Sequence, residues 1–202
     1  LMHEDTAGDF VELGKKLEML WISSAFSLKN VVSLLQADCF QNLKYLHLDC
    51  CPGLSVVFFE SHFLRNLEVL DVKFCDKLES LFENNSKKHM LPNLHRLHLW
   101  ELPELKTIGC LLPSLQVLDV GRCPMLEHVL PSGCLPENLT VVRVQHCDTL
   151  CTLAEDTAQQ KYNLPSLNTI ELRGLPELTN IDFDLPLRFC IKECPKLQLP
   201  LQ

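Results

Sequence analysis

Apolar residues recur along the chain in one frame, L-x-x-L-x-L-x-x-C/L-x-x-L-x-x-φ, where φ is a large apolar side chain. Leu17, Leu20, Ile22, Ala25, Leu28 and Val31 match Leu43, Leu46, Leu48, Cys51, Leu54 and Val57, and then Leu67, Leu70, Val72, Cys75, Leu78 and Leu81. The frame continues from Leu94 to Ile108, from Leu115 to Val129, from Leu139 to Leu153 and from Leu167 to Ile181. A degenerate last copy carries Pro186, Phe189, Ile191, Cys194 and Leu197. Start-to-start spacings are 26, 24, 27, 21, 24, 28 and 19 residues.

Within each copy the period changes from two, across L-x-L, to three, along C-x-x-L-x-x-φ, so a strand leads into an irregular or single-turn segment. One unit cannot bury its own leucines. Stacked units can, because successive L-x-L strands pair in parallel about 4.8 Å apart. The expected architecture is an α/β leucine-rich-repeat solenoid, with a parallel concave sheet and an irregular or short-helical convex side. Residues 17–202 form about eight repeats, and residues 1–16 form a partial or imperfect N-terminal unit. Prolines 52, 103, 124, 176 and 195 follow the C/L position and prolines 92, 113, 136 and 165 precede strands, where a residue without an N–H stops the ladder. The polar stretches 83–89 and 154–162 read as loop insertions, the second with room for a short helical turn. Solenoids need polar capping units, and neither end shows a convincing one, so the chain reads as a piece of a longer protein.

The x positions flanking the strand leucines point away from the core and make the informative surface. Three columns result. The first runs Met19, Tyr45, Val69, Arg96, Val117, Val141, Thr169, Arg188; the second Trp21, His47, Asp71, His98, Asp119, Arg143, Glu171, Cys190. The third, expected just after the strand, runs Ser23, Asp49, Lys73, Trp100, Gly121, Gln145, Arg173, Lys192. The candidate partner-binding residues are Tyr45, His47, Asp71, Lys73, Arg96, His98, Trp100, Asp119, Arg143, Glu171 and Arg173. From His47 to Glu171 the middle column alternates in charge character, which reads first as avoidance of like-charge stacking. A metal held by His47, Asp71 and His98 is the sharper alternative. Trp100 faces Gly121 one rung on, which makes either a notch beside an interface hot spot or a place for the indole to fold across the sheet.

Composition narrows the function classes. A net charge of −8 argues against nucleic acid, whose binding depends on Lys and Arg contacts to phosphate. No apolar run approaches the roughly 18 residues of a membrane span, and the first residues lack the order of a signal peptide. Of eleven cysteines, Cys51, Cys75, Cys123, Cys147 and Cys194 interchange with Leu at one inward position. Core packing by free thiols in a reducing compartment is expected. Cys50, Cys110, Cys134, Cys151 and Cys190 fall outside that phase and form no C-x-x-C zinc pair. Sequons occur at Asn84 and Asn138 and read as chance, the second because it precedes the buried Leu139 of an expected strand. With seven glycines and no P-loop, G-x-G-x-x-G, G-x-S-x-G or H-E-x-x-H motif, catalysis has no visible foothold, and the chain is not expected to be an enzyme.

Stretches such as LPSLQVLDVGRCPMLEHV and LPNLHRLHLWELPELKTI resemble the C-terminal repeats of plant intracellular nucleotide-binding leucine-rich-repeat disease-resistance receptors, especially the coiled-coil class, over roughly residues 17–197. That resemblance implies a cytoplasmic array that restrains a nucleotide switch in cis. It also implies recognition of a pathogen effector or a guarded host protein. ADP or ATP is expected only in an upstream domain, since no nucleotide motif lies here. A ubiquitin-ligase substrate adaptor would show T-D-x-G-L after the cysteine, and an extracellular plant receptor L-x-x-N-x-L-x-G-x-I-P; both are missing. The adaptor and a general protein-binding scaffold remain the alternatives.

Overall fold

The computed structural model describes residues 14–29, 40–58, 64–82, 89–130, 136–155, 163–181 and 183–198. The first thirteen residues, Asn84 and nearly all of both polar insertions lie outside them. One sheet dominates. Its eight five-residue strands are β1 (Met19–Ser23), β2 (Tyr45–Asp49), β4 (Val69–Lys73), β7 (Arg96–Trp100), β9 (Val117–Gly121), β10 (Val141–Gln145), β11 (Thr169–Arg173) and β12 (Arg188–Lys192), ordered as in the chain. All pair in parallel and in register, so Leu46 meets Leu70 and Leu70 meets Leu97. Residues expected just after each strand are instead its last residue.

Among the described residues, six of the eight strands carry a hydrogen-bonded turn on each side of the strand. Before it, Leu94 N–H donates to Leu91 O and Leu115 N–H to Leu112 O; after it, Leu54 N–H donates to Cys51 O and Leu126 N–H to Cys123 O. The recurrent L-P-x-L and C-P-x-L motifs therefore place proline second in a four-residue turn, where its fixed φ suits the bend. Between rungs, Asn42, Asn66 and Asn93 donate from Nδ2 to the turn carbonyls of Lys15, Gln41 and Arg65, each at 2.6 Å. Asn138 sits exposed in such a turn, three residues before β10 begins, so the argument from strand burial does not hold for that sequon.

The residue after each strand turns the chain with positive φ: Ser24, Cys50, Phe74, Glu101, Arg122, His146, Glu193, and one glycine, Gly174. This left-handed conformation costs a non-glycine residue about 1–2 kcal/mol. Hydrogen bonds offset it, since the N–H of Cys50 donates to Lys73 O, that of Phe74 to Trp100 O and that of Arg122 to Gln145 O on the next rung.

The cysteine column completes this corner. Cys51, Cys75, Cys123, Cys147 and Cys194 donate from Sγ to the carbonyls of Asp49, Lys73, Gly121, Gln145 and Lys192, two residues back. Those carbonyls already accept an N–H from the preceding rung, so the thiol satisfies the second lone pair of a C=O at the core edge. The core behind is continuous, with Leu46, Leu48, Leu70, Leu97, Leu99, Leu118 and Leu172 essentially buried. Leucine-to-alanine changes there cost roughly 2–5 kcal/mol.

Where it is described, the convex side is extended rather than helical. Its short strands pair in parallel: β3 (Val56–Phe58) with β5 (Ser80–Phe82), and β6 (His89–Met90) with β8 (Cys110–Leu111). Among the described residues only Gly14 and Lys15 are helical. Phe58 and Phe82, buried one rung apart with ring centroids 5.2 Å apart, favour the extended form because stacked rungs align like side chains.

Candidate binding face on the concave sheet

Strand alternation puts all eleven candidate residues on one face. Tyr45 and His47 stand on β2, Asp71 and Lys73 on β4, Arg96, His98 and Trp100 on β7, Asp119 on β9, Arg143 on β10, and Glu171 and Arg173 on β11. The structure joins seven of them into two groups. In the first, His47 Nδ1 lies 2.9 Å from Asp71 Oδ2, His98 Nδ1 2.9 Å from Asp71 Oδ1, and Lys73 Nζ 3.0 Å from Oδ2. In the second, Arg143 sits between Asp119 at 3.7 Å and Glu171 at 3.5 Å.

Asp71 anchors the first group. Burial pushes its carboxyl up, but hydrogen bonds and charge from His98 and Lys73 outweigh that and bring it down to about 2. The three residues weighed as metal ligands thus spend their Nδ1 and carboxylate atoms on one another. An imidazole that donates from Nδ1 keeps Nε2 as an acceptor. No ion pair joins Tyr45, Arg96 or Arg173 to another described residue; Tyr45 is 39% exposed and the two arginines are exposed.

Trp100 takes the second of its two readings. Its indole lies across Gly121, so that a Cβ there would overlap ring atoms Cζ3, Cε3 and Cη2. Arg122 Cζ stands 5.9 Å from the Trp100 ring centroid, held by a 2.6 Å ion pair from Nη1 to Glu101 Oε1. His98 is 6.0 Å away, ring to ring. The more exposed tryptophan is Trp21 at 67%, beside Met19 at 62%; its ring meets His47 edge-on at 4.3 Å. Sequence reasoning placed Trp21 in the middle column without choosing it. Among the described residues its strand, β1, has one lateral neighbour, β2, where inner strands have two.

A family profile described as plant disease resistance protein RPS2-like leucine-rich repeats matches residues 14–154. The chain belongs to this family. A disease resistance protein of Arabidopsis thaliana is 43% identical over 111 residues, 55% of this chain and 9% of that protein. A second from the same plant is 30% identical over 118 residues, covering 52% of this chain and 12% of that one. The chain thus spans about a tenth of the length of these relatives. The solved leucine-rich-repeat domain of the type III effector XopL aligns with 96% of this chain and 82% of that one at 19% identity and TM-score 0.45. The chain thus carries leucine-rich repeats of the RPS2-like plant disease resistance protein family. No helix among its described residues is long and apolar enough to cross a membrane.

Proposed function

We propose that this RPS2-like array recognises a pathogen effector or a guarded host protein on its concave face. In the resting cytoplasmic receptor the same face holds the receptor's own nucleotide-binding domain in cis. The switch nucleotide, ADP or ATP, belongs to that other domain. The supporting observation is a face already ordered before any partner arrives: the Asp71 and Arg143 groups fix the middle column, while Trp21, Tyr45, Arg96 and Arg173 stay exposed around it. A pre-organised face loses little side-chain entropy on docking, and Trp, Tyr and Arg are the residue types that dominate interfaces. Activation is then a population shift, in which a partner binds the released array more tightly than the docked one.

The test supplies the receptor's own nucleotide-binding region as a separate chain and measures its capture by this array. Capture weakened about tenfold by Trp21→Ala with Tyr45→Ala and Arg96→Ala, together with effector-independent activity of the full-length variant, is the expected result. Unchanged capture and an unchanged response to the pathogen would refute the reading.

A further inference from the structure

We propose that two adjacent strands of the concave face, β11 and β12, form a docking strip for an extended acidic peptide segment of a partner protein. The proposal rests on the concave face being a recognition surface. It adds the place and the chemistry.

From β2 to β10 the charges of the middle column are compensated, and Arg96 on β7 is, among the described residues, a single unpaired cation beside them. Asp71 is matched by Lys73 and two imidazoles, and Arg143 by Asp119 and Glu171. On β11 and β12 this stops among the described residues. Arg173, Arg188 and Lys192 are all exposed on the concave side, and none has an ion pair among the described residues. By register, Glu171 faces Cys190 between Arg188 and Lys192, and it is engaged with Arg143. Three uncompensated cations therefore gather on two adjacent strands of a chain whose net charge is −8.

Their spacing selects the ligand. Arg173 and Lys192 are lateral partners, about 4.8 Å apart by backbone, whereas Arg188 lies four residues along β12 from Lys192, about 13 Å away. A point anion cannot engage all three. An extended peptide lying along β12 can, because its own carboxylates at positions i and i+4 repeat at that same distance of about 13 Å. Between Arg188 and Lys192 the intervening concave residue is Cys190, whose small side chain leaves room for a partner's backbone. A long polyanion such as nucleic acid would extend past the strip onto an otherwise acidic molecule, which disfavours it.

Purified chain is titrated with a labelled peptide of alternating Glu and Ser, with its Lys and Ser counterpart, and with single-stranded oligothymidylate. An exposed ion pair contributes up to about fivefold in affinity. The Glu peptide should therefore bind at least about tenfold tighter than the Lys peptide, and more weakly as salt rises. Arg188→Gln with Lys192→Gln should weaken it about tenfold, and Arg188→Glu with Lys192→Glu should abolish it, while Lys106→Gln, at a lysine paired with Glu79 and remote from β11 and β12, leaves it unchanged. Unfolding curves confirm that each variant folds. Equal binding of the two peptides, tighter binding of the oligonucleotide, or a double variant indistinguishable from the parent would overturn the proposal. If the strip fails while the Trp21, Tyr45 and Arg96 variant still loses capture, the acidic segment is wrong and the concave recognition surface stands.

Discussion

Trp100 lies over Gly121, its neighbour one rung along the sheet, and fills the space that any side chain there would need. Each residue explains the other. The glycine lets a large ring cover the backbone, and the ring closes a gap that would otherwise be wet.

Gly121→Ala should therefore destabilise the array by about 1–3 kcal/mol through overpacking. In a Trp100→Ala background the same change should cost less by at least about 1 kcal/mol, because the colliding ring is gone. Urea unfolding of the four proteins gives the coupling. Simple additivity would show that the two side chains do not compete for that space.

The pH dependence of stability should carry a signature of Asp71. Its folded-state value of about 2 lies below the ordinary value of 3.8, so its contribution is complete above pH 4 and is lost as pH falls toward 2. The expected loss is about 1–2 kcal/mol across that window. Asp71→Asn should flatten that part of the curve. Parallel curves for the two proteins would show that the His98 and Lys73 contacts do not hold the carboxylate in solution.

Thiol reactivity should follow position in the repeat. Burial pushes the Cys75 thiol up to about 12, which leaves of order one thiolate in 10⁵ at neutral pH. Native alkylation should reach the exposed Cys50 and Cys151 and spare Cys51, Cys75, Cys123 and Cys147 until denaturant is added. Mass spectrometry of the labelled protein reads this directly. Labelling of Cys75 as fast as Cys151 would contradict the cysteine column as a core element.

Phe74, at φ 52°, tests the corner that follows each strand. A β-branched residue fits this conformation badly, so Phe74→Val should cost about 1–2 kcal/mol. Phe74→Gly should relieve backbone strain and come within about 1 kcal/mol of the parent. Thermal unfolding of both variants distinguishes them. If valine were tolerated as well as glycine, the left-handed corner would be relaxed in solution.

The sequence by itself determined the rungs, the inward leucines, the cysteine column and the outward identity of all eleven candidate residues. It did so because an alternation of two along a strand and one recurring frame leave a single way to stack these units without exposing leucine. The tertiary structure decided what those outward side chains do. Periodicity says which face His47, Asp71 and His98 occupy, but only the close spacing of neighbouring rungs makes one carboxylate reach both imidazoles. The same holds for the indole of Trp100 over Gly121, and for the cations of β11 and β12, which have no ion pair among the described residues. The left-handed corners were the least legible feature. Seven of the eight are not glycine, and their conformation comes from the hydrogen bonds of the stacked ladder rather than from local preference. The convex segments β3 and β5 became extended for a related reason, since rungs already in register align Phe58 with Phe82 and pair their backbones, an alternative that a single unit does not possess.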